Sequence, residues 1–260
     1  MNHNAWLGRA AAGAFWVFLL FPGSARAVPL AGYPLMTAPV NLTDRVSLQR
    51  GARTFVNYCM GCHTLRYVRW SRVGRDLRLN KRALRELMFL QTKPTQMMLN
   101  AMPVQEATRW FGAAPPDLSV MVDQKGVNWV YTYLQSFYLD PNRPTGVNNA
   151  VFYRVAMPDP FWQLQGLQKV VYRKVSENGG TVDRFVRFVP VTLGTRSPVA
   201  FRRMVGNLTN FLYYAGHPDE LKRIHLGIWV IAFLVLFTVF AYFLKREYWK
   251  DVHRKHPHEK

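Results

Sequence analysis

The run Cys59-Met60-Gly61-Cys62-His63 contains both cysteines of the 260-residue chain and sets a histidine directly after the second. That is the spacing at which a c-type haem is attached. Two thiols three residues apart can each form a thioether to one haem edge, and the adjacent imidazole is then held where it can ligate iron. Other uses of a C-x-x-C pair, as a zinc half-site, a thioredoxin-like redox pair or a structural disulfide, fit less well. Zinc wants further Cys or His ligands at similar spacing, and the other histidines lie at positions 3, 217, 225, 253, 256 and 258. A thioredoxin-like pair needs no following histidine and favours a cytosolic strand-to-helix context. The motif therefore predicts one covalently bound haem c on Cys59 and Cys62, with His63 as an axial ligand.

A second axial ligand has to come from elsewhere. His217 and His225 both fall beside a long apolar segment, so a distant bis-histidine site is hard to build from them. A thioether sulfur is the alternative, and it raises the reduction potential relative to two imidazoles. Met102 and Met157 each precede a proline, which restrains the loop to an extended form and fixes where the sulfur points. Spacing leaves both open, and core filling is the commoner fate of a methionine.

The elements that position these residues are legible in outline. Residues 1–27 read as a secretory signal, with Arg9, an apolar stretch from Ala10 to Phe21 and the small-residue site Ala25-Arg26-Ala27. Leu226 to Leu244 is 19 residues long, free of charge and long enough to cross a bilayer. Lys245, Arg246, Lys250, Arg254, Lys255 and Lys260 follow it, which puts the tail 250–260 on the cytoplasmic side. Pro218 suits a first helical position, and Asp219 and Glu220 suit the positive end of the helix dipole, so a continuous helix is expected over 218–249. Residues 28–217 then form one exported haem domain on a single membrane span.

Within that domain, Val46, Leu48, Phe55 and Val56 predict a helix from Thr43 to Tyr58 that ends at the haem motif. Lys81 to Leu90 reads as a second helix, and Pro115-Pro116-Asp117 as a rigid turn into another from about Asp117. Asn128 to Tyr138 is expected to be an aromatic helix against the haem, and Asp140 to Asn149 a loop. Val170 to Val189 alternates around Gly179-Gly180, as a small hairpin would. The fold class is mainly α: a c-type cytochrome domain with long loops and a small hairpin, plus one C-terminal transmembrane helix.

Taken together, the chain closely resembles the cytochrome c1 family, the haem subunits of quinol to cytochrome c reductase (bc1) complexes, particularly those of proteobacteria. Carrying the resemblance are Arg53-Thr54-Phe55-Val56-Asn57-Tyr58 with the haem motif, Trp110-Phe111-Gly112-Ala113-Ala114-Pro115-Pro116-Asp117-Leu118-Ser119 and Arg143-Pro144-Thr145-Gly146-Val147-Asn148-Asn149. Val155-Ala156-Met157-Pro158 and Lys245-Arg246-Glu247-Tyr248-Trp249-Lys250-Asp251-Val252-His253 extend it. The resemblance implies that Met157 completes a His63 and Met157 axial pair, leaving Met102 to packing. It also implies that the haem takes an electron from a Rieske iron-sulfur protein and passes it to a soluble periplasmic acceptor, with cytochrome b as the third partner. One departure stands out: where the family commonly has arginines near the haem propionates, this chain reads Val120-Met121-Val122-Asp123-Gln124-Lys125, and Lys125 is a weak substitute.

The chain carries 34 Lys and Arg against 15 Asp and Glu. Two of the basic residues are Arg9 and Arg26, and six basic and three acidic residues lie from Lys245 onward, leaving 26 against 12 between them. Steering would favour an acidic or weakly charged acceptor; a scarcity of carboxylates also suits an acidic compartment. Export and a haem argue against the nucleic-acid partner that such a charge otherwise suggests. The competing function is a free-standing membrane-anchored haem enzyme such as a peroxidase, which needs an open iron position that a thioether ligand would close.

Overall fold

Asp44 opens the first described helix by accepting a hydrogen bond from the Ser47 amide at 2.9 Å, an N-cap that satisfies one of the free N–H groups of the first turn. The computed structural model describes residues 33–88, 93–177 and 180–254. The expected signal segment, residues 89–90 of the second expected helix, Gly179 of the expected turn and residues 255–260 of the tail lie outside these.

Helix α1 (Arg45–Tyr58) runs straight into the haem motif. Strand β1 (Leu65–Arg69) leaves it and leads to α2 (Trp70–Asp76) and α3 (Lys81–Met88), after which β2 (Met97–Met98) pairs antiparallel with β1. Three short helices follow: α4 (Val104–Phe111), α5 (Met121–Lys125) and α6 (Val127–Tyr133). Strands β3 (Phe137–Leu139) and β4 (Val147–Asn149) form a small antiparallel pair. Helix α7 (Trp162–Gln165) precedes the long hairpin of β5 (Gln168–Glu177) and β6 (Gly180–Pro190), in which Gln168 faces Pro190 and Glu177 faces Gly180. Two helices close the chain, α8 (Pro198–Gly216) and α9 (Glu220–Arg254).

The core sits between α1 and α8. Leu48, Ala52 and Phe55 from one helix and Val205, Leu208, Phe211 and Leu212 from the other are buried together. Burying side chains of this size is worth about 1.5–3 kcal/mol each. Contact is so close that a Cβ on Gly51 would come within 2.1 Å of the Asn207 carbonyl oxygen, so only glycine fits.

Expectation and structure part company in several places. The helix expected from Asn128 to Tyr138 ends at Tyr133, where tighter backbone bonds from Gln135 to Thr132 and Ser136 to Tyr133 close the turn. Phe137–Leu139 is instead a strand, and its partner Val147–Asn149 lies in the stretch expected to be a loop. The helix expected from about Asp117 starts at Met121; the Asp117 carboxylate instead accepts hydrogen bonds from the Thr64 hydroxyl and the Arg66 and Ser119 amides.

Glu220–Lys250 is long and apolar enough to cross a membrane, and Ile228, Val235 and Phe240 within it are exposed. Pro218 and Asp219 form a turn ahead of α9, with Glu220 as its first residue. Asp219 is tied to the domain by Arg72 of α2, with Nη2 to Oδ1 at 2.6 Å. Arg72 also pairs with Asp76 at 3.1 Å, and Asp76 accepts the Tyr214 hydroxyl at 2.9 Å. The long helix is thus held to α2 and α8 by one polar network.

Candidate functional site

The last turn of α1 does not stop at Tyr58. Cys59 and Met60 both donate backbone hydrogen bonds to the Phe55 carbonyl, and Cys62 and His63 both donate to that of Cys59. Residues three apart in such a helical turn share a face, so Cys59 and Cys62 present their sulfurs together. Cys59 is 6% exposed, Cys62 half-buried, and both are free thiols. Burial, and then the neighbouring Cys62, push the Cys59 thiol up to about 12; burial raises Cys62 as well. Among the described residues, no cluster of three or more His, Cys, Asp or Glu side chains could hold a metal ion.

His63 is 8% exposed, and its Nδ1 lies 2.8 Å from the Pro116 carbonyl oxygen. A carbonyl only accepts, so Nδ1 carries the proton and Nε2 keeps its lone pair for a metal. Burial lowers the imidazole's pKa, with the Pro116 bond and the nearby Asp117 working against it. The result is a neutral ring, the form that ligates.

Asp117 fixes the segment that supplies that carbonyl. Its carboxylate accepts hydrogen bonds from the Thr64 hydroxyl, from the Arg66 amide at 2.8 Å and from the Ser119 amide at 3.0 Å. The Leu118 amide donates to the Thr64 carbonyl at 2.9 Å. The Pro-Pro-Asp-Leu-Ser run is therefore a clamp across the residues that follow the haem motif. On the other side, the Asn100 side-chain amide donates to the Cys62 carbonyl.

The haem motif, Pro116 and Leu118 border a cavity of ≈ 490 Å³, within the usual range of about 300–1,000 Å³ for a cofactor site. Cys59, Cys62, His63 and Met157 all line it. Most of the wall is apolar, with Leu118, Met121, Trp129, Leu208 and Leu212 contributing, and Lys125 is the one charged residue on it. Lys125 Nζ lies 5.6 Å from the Trp129 ring centroid. Met102 lines a separate cavity of ≈ 70 Å³ beside Cys62, Thr64 and Asn100. His217 is paired with Asp123 at 2.9 Å, and His225 is exposed on α9; neither borders the large cavity. Two sulfurs side by side, a neutral imidazole, a thioether and apolar walls suit a covalently attached haem.

The loop bearing Met157 is built by residues whose roles no spacing announces. Asn149 Oδ1 accepts from the Val151 and Phe152 amides at 2.9 and 3.2 Å, and Asn148 Oδ1 from the Arg154 amide at 2.9 Å. Arg143 donates to the carbonyls of Arg154 and Val155 at 3.1 and 3.2 Å. Arg154 itself has φ 61°, a left-handed turn that these bonds hold in place. Met157 then packs with Phe137, Val147 and Val155, and the Tyr133 hydroxyl lies 3.3 Å from its Sδ.

Comparison with known proteins identifies the family. The Cytochrome C1 family model matches residues 36–173 and 189–252. The chain is similar to cytochrome c1 of Allochromatium vinosum, 44% identical over 91% of this chain and 97% of that one. It is also similar to a protein named ammonia monooxygenase gamma subunit in Nitrosomonas europaea, 39% identical over 83% of this chain and 88% of that one. A cytochrome b/c1 of Bradyrhizobium diazoefficiens is 22% identical over 83% of this chain, which spans 34% of that protein.

Proposed function

Since the chain belongs to the cytochrome c1 family, we propose that it is the haem-bearing electron-transfer subunit of a bc1-type complex. It accepts an electron from a Rieske iron-sulfur protein, next to cytochrome b, and passes it to a soluble periplasmic carrier. The observation that supports this most is the meeting of Cys59, Cys62, His63 and Met157 on one largely apolar cavity. A haem bound there supplies reversible one-electron iron chemistry.

The chain's own contribution is to tether, orient and exclude. Cys59 and Cys62 would anchor the group by thioethers. His63, held by the Pro116 carbonyl, would ligate the iron through Nε2, and Met157 would ligate it through sulfur. With side chains as both ligands the iron would have no place for a reactant, which favours electron transfer over a peroxidase reaction. Apolar walls keep water out and lower the local dielectric, which with the thioether raises the potential. Residues 28–217 carry this site in the periplasm behind a cleaved signal at 1–27, and the span within 226–244 anchors it in the inner membrane.

Two measurements test the reading. Met157→Leu in the full chain is expected to abolish the six-coordinate low-spin spectrum and to open the iron to exogenous ligands; an unaltered spectrum and potential overturn the axial assignment. Solubilised membranes are expected to yield the chain together with a b-type cytochrome and a Rieske protein, in a complex that quinol reduces. Recovery with oxygenase subunits instead would overturn the assignment to a bc1-type complex.

A further inference from the structure

We propose that Tyr133 is a positioning residue for the iron's methionine ligand: its hydroxyl donates a hydrogen bond to the Met157 sulfur, aims it, and shifts the one-electron equilibrium toward the reduced form. The inference deepens the axial reading of Met157 and rests on it.

The geometry is specific. Tyr133 Oη lies 3.3 Å from Met157 Sδ, and both residues line the large cavity. A thioether has two lone pairs, so a sulfur that gives one to iron retains another for an O–H donor. The ring is seated from several directions. Trp129 stacks on it with centroids 4.9 Å apart and planes 12° from parallel, and Phe137 meets it edge-on at 5.2 Å. Its backbone carbonyl accepts the Asn149 side-chain amide at 2.8 Å. A phenol fixed this firmly has little freedom to point elsewhere. The sign follows from charge. A hydrogen bond draws electron density from sulfur and weakens its donation to iron, which costs the ferric state more than the ferrous. Only the difference in the bond's strength between the two oxidation states moves the equilibrium, and loss of the whole bond in the ferric state would move it by roughly two- to tenfold.

The test uses the full-length holoprotein with Tyr133→Phe, which keeps the ring and removes the hydroxyl, and with a monofluorinated tyrosine at the same position, a stronger donor. The phenylalanine variant is expected to keep the low-spin spectrum while the reduced-to-oxidised ratio at fixed ambient potential falls roughly two- to tenfold. Its sulfur-to-iron charge-transfer band should move as well. The fluorinated variant is expected to shift the ratio the other way, a reversal that a packing role would not produce. If the phenylalanine variant fails to load haem, the fluorinated protein carries the test alone. Ratios unchanged in every variant that loads haem overturn the inference. If Met157→Leu nonetheless alters the spectrum, the axial reading survives; if Met157→Leu also changes nothing, it is that reading which has failed.

Discussion

Asn149 makes four hydrogen bonds through one amide: Nδ2 to the Tyr133 carbonyl, and Oδ1 from the Ser136 hydroxyl and the Val151 and Phe152 amides. It is fully buried, so truncation leaves several polar groups without partners or water, each costing about 1–3 kcal/mol. Asn149→Ala is expected to lower stability by about 3 kcal/mol and to weaken methionine ligation, because the same amide holds the start of the Met157 loop. Thermal unfolding of the holoprotein followed by circular dichroism and by the haem spectrum reads both effects; unchanged midpoints would remove Asn149 from this role. At this scale Cys59, Cys62 and His63 were readable because attachment chemistry demands a fixed local spacing. Met157 was only one of two methionines before a proline until family resemblance separated them, and the structure puts it alone of the two on the large cavity. Tyr133 and Asn149 were opaque in a different way. Their work is done through contacts with residues distant in sequence, and nothing in a local pattern encodes a tyrosine's partner.

Helix α1, the β5–β6 hairpin and the long C-terminal helix followed from periodicity, alternation and apolar length. The start of helix α8 is signalled in the sequence by its cap: Ser197 accepts the Ala200 amide at 3.3 Å, and Pro198 follows. Its pattern of Phe201, Val205, Leu208, Leu212 and Ala215 is helical too, so this signal lay within reach. The end of α6 was less legible, since Tyr131, Thr132, Tyr133, Phe137 and Tyr138 suit helix or strand, and pairing with Val147–Asn149 decides. The seat of α9 was not legible at all, because it depends on Arg72 meeting Asp219. That hydrogen bond holds Asp219 below its ordinary 3.8. A carboxylate with a depressed folded pKa contributes above its unfolded value and loses that contribution as pH falls through the folded one. The junction is therefore expected to be as firm at pH 5 as at pH 7 and to loosen only below about 3.8. Asp219→Asn should mimic the acid state at pH 7, raising the rate of limited proteolysis at residues 217–220 of the membrane-bound chain by roughly two- to fivefold. Equal cleavage of variant and parent would show that this pair does not hold the stalk.

For the whole molecule, the decisive quantity is charge. Twenty-six basic against twelve acidic residues over 28–244 give a long-range field that any approaching carrier meets before it meets the site. Composition revealed the sign of that field, and only the fold shows where the charges stand. Arg53 and Arg66 are exposed beside the haem motif, and Lys125 is exposed at the large cavity. Asp117, a carboxylate close to the haem motif, is engaged by Thr64 and the Arg66 and Ser119 amides. A carrier with an acidic face would therefore be drawn in and a basic one repelled. Screening shortens these forces, since the Debye length falls from about 30 Å at 0.01 M salt to about 10 Å at 0.1 M. The second-order rate of electron transfer from the reduced protein to an acidic carrier is expected to fall about tenfold or more over that range. With a basic carrier of similar potential the rate should rise instead. Stopped-flow measurement with the two carriers decides it. A fall of equal size with both, or no salt dependence with either, would mean that docking is governed by the apolar surface around exposed Tyr67 and Trp110 and not by the field.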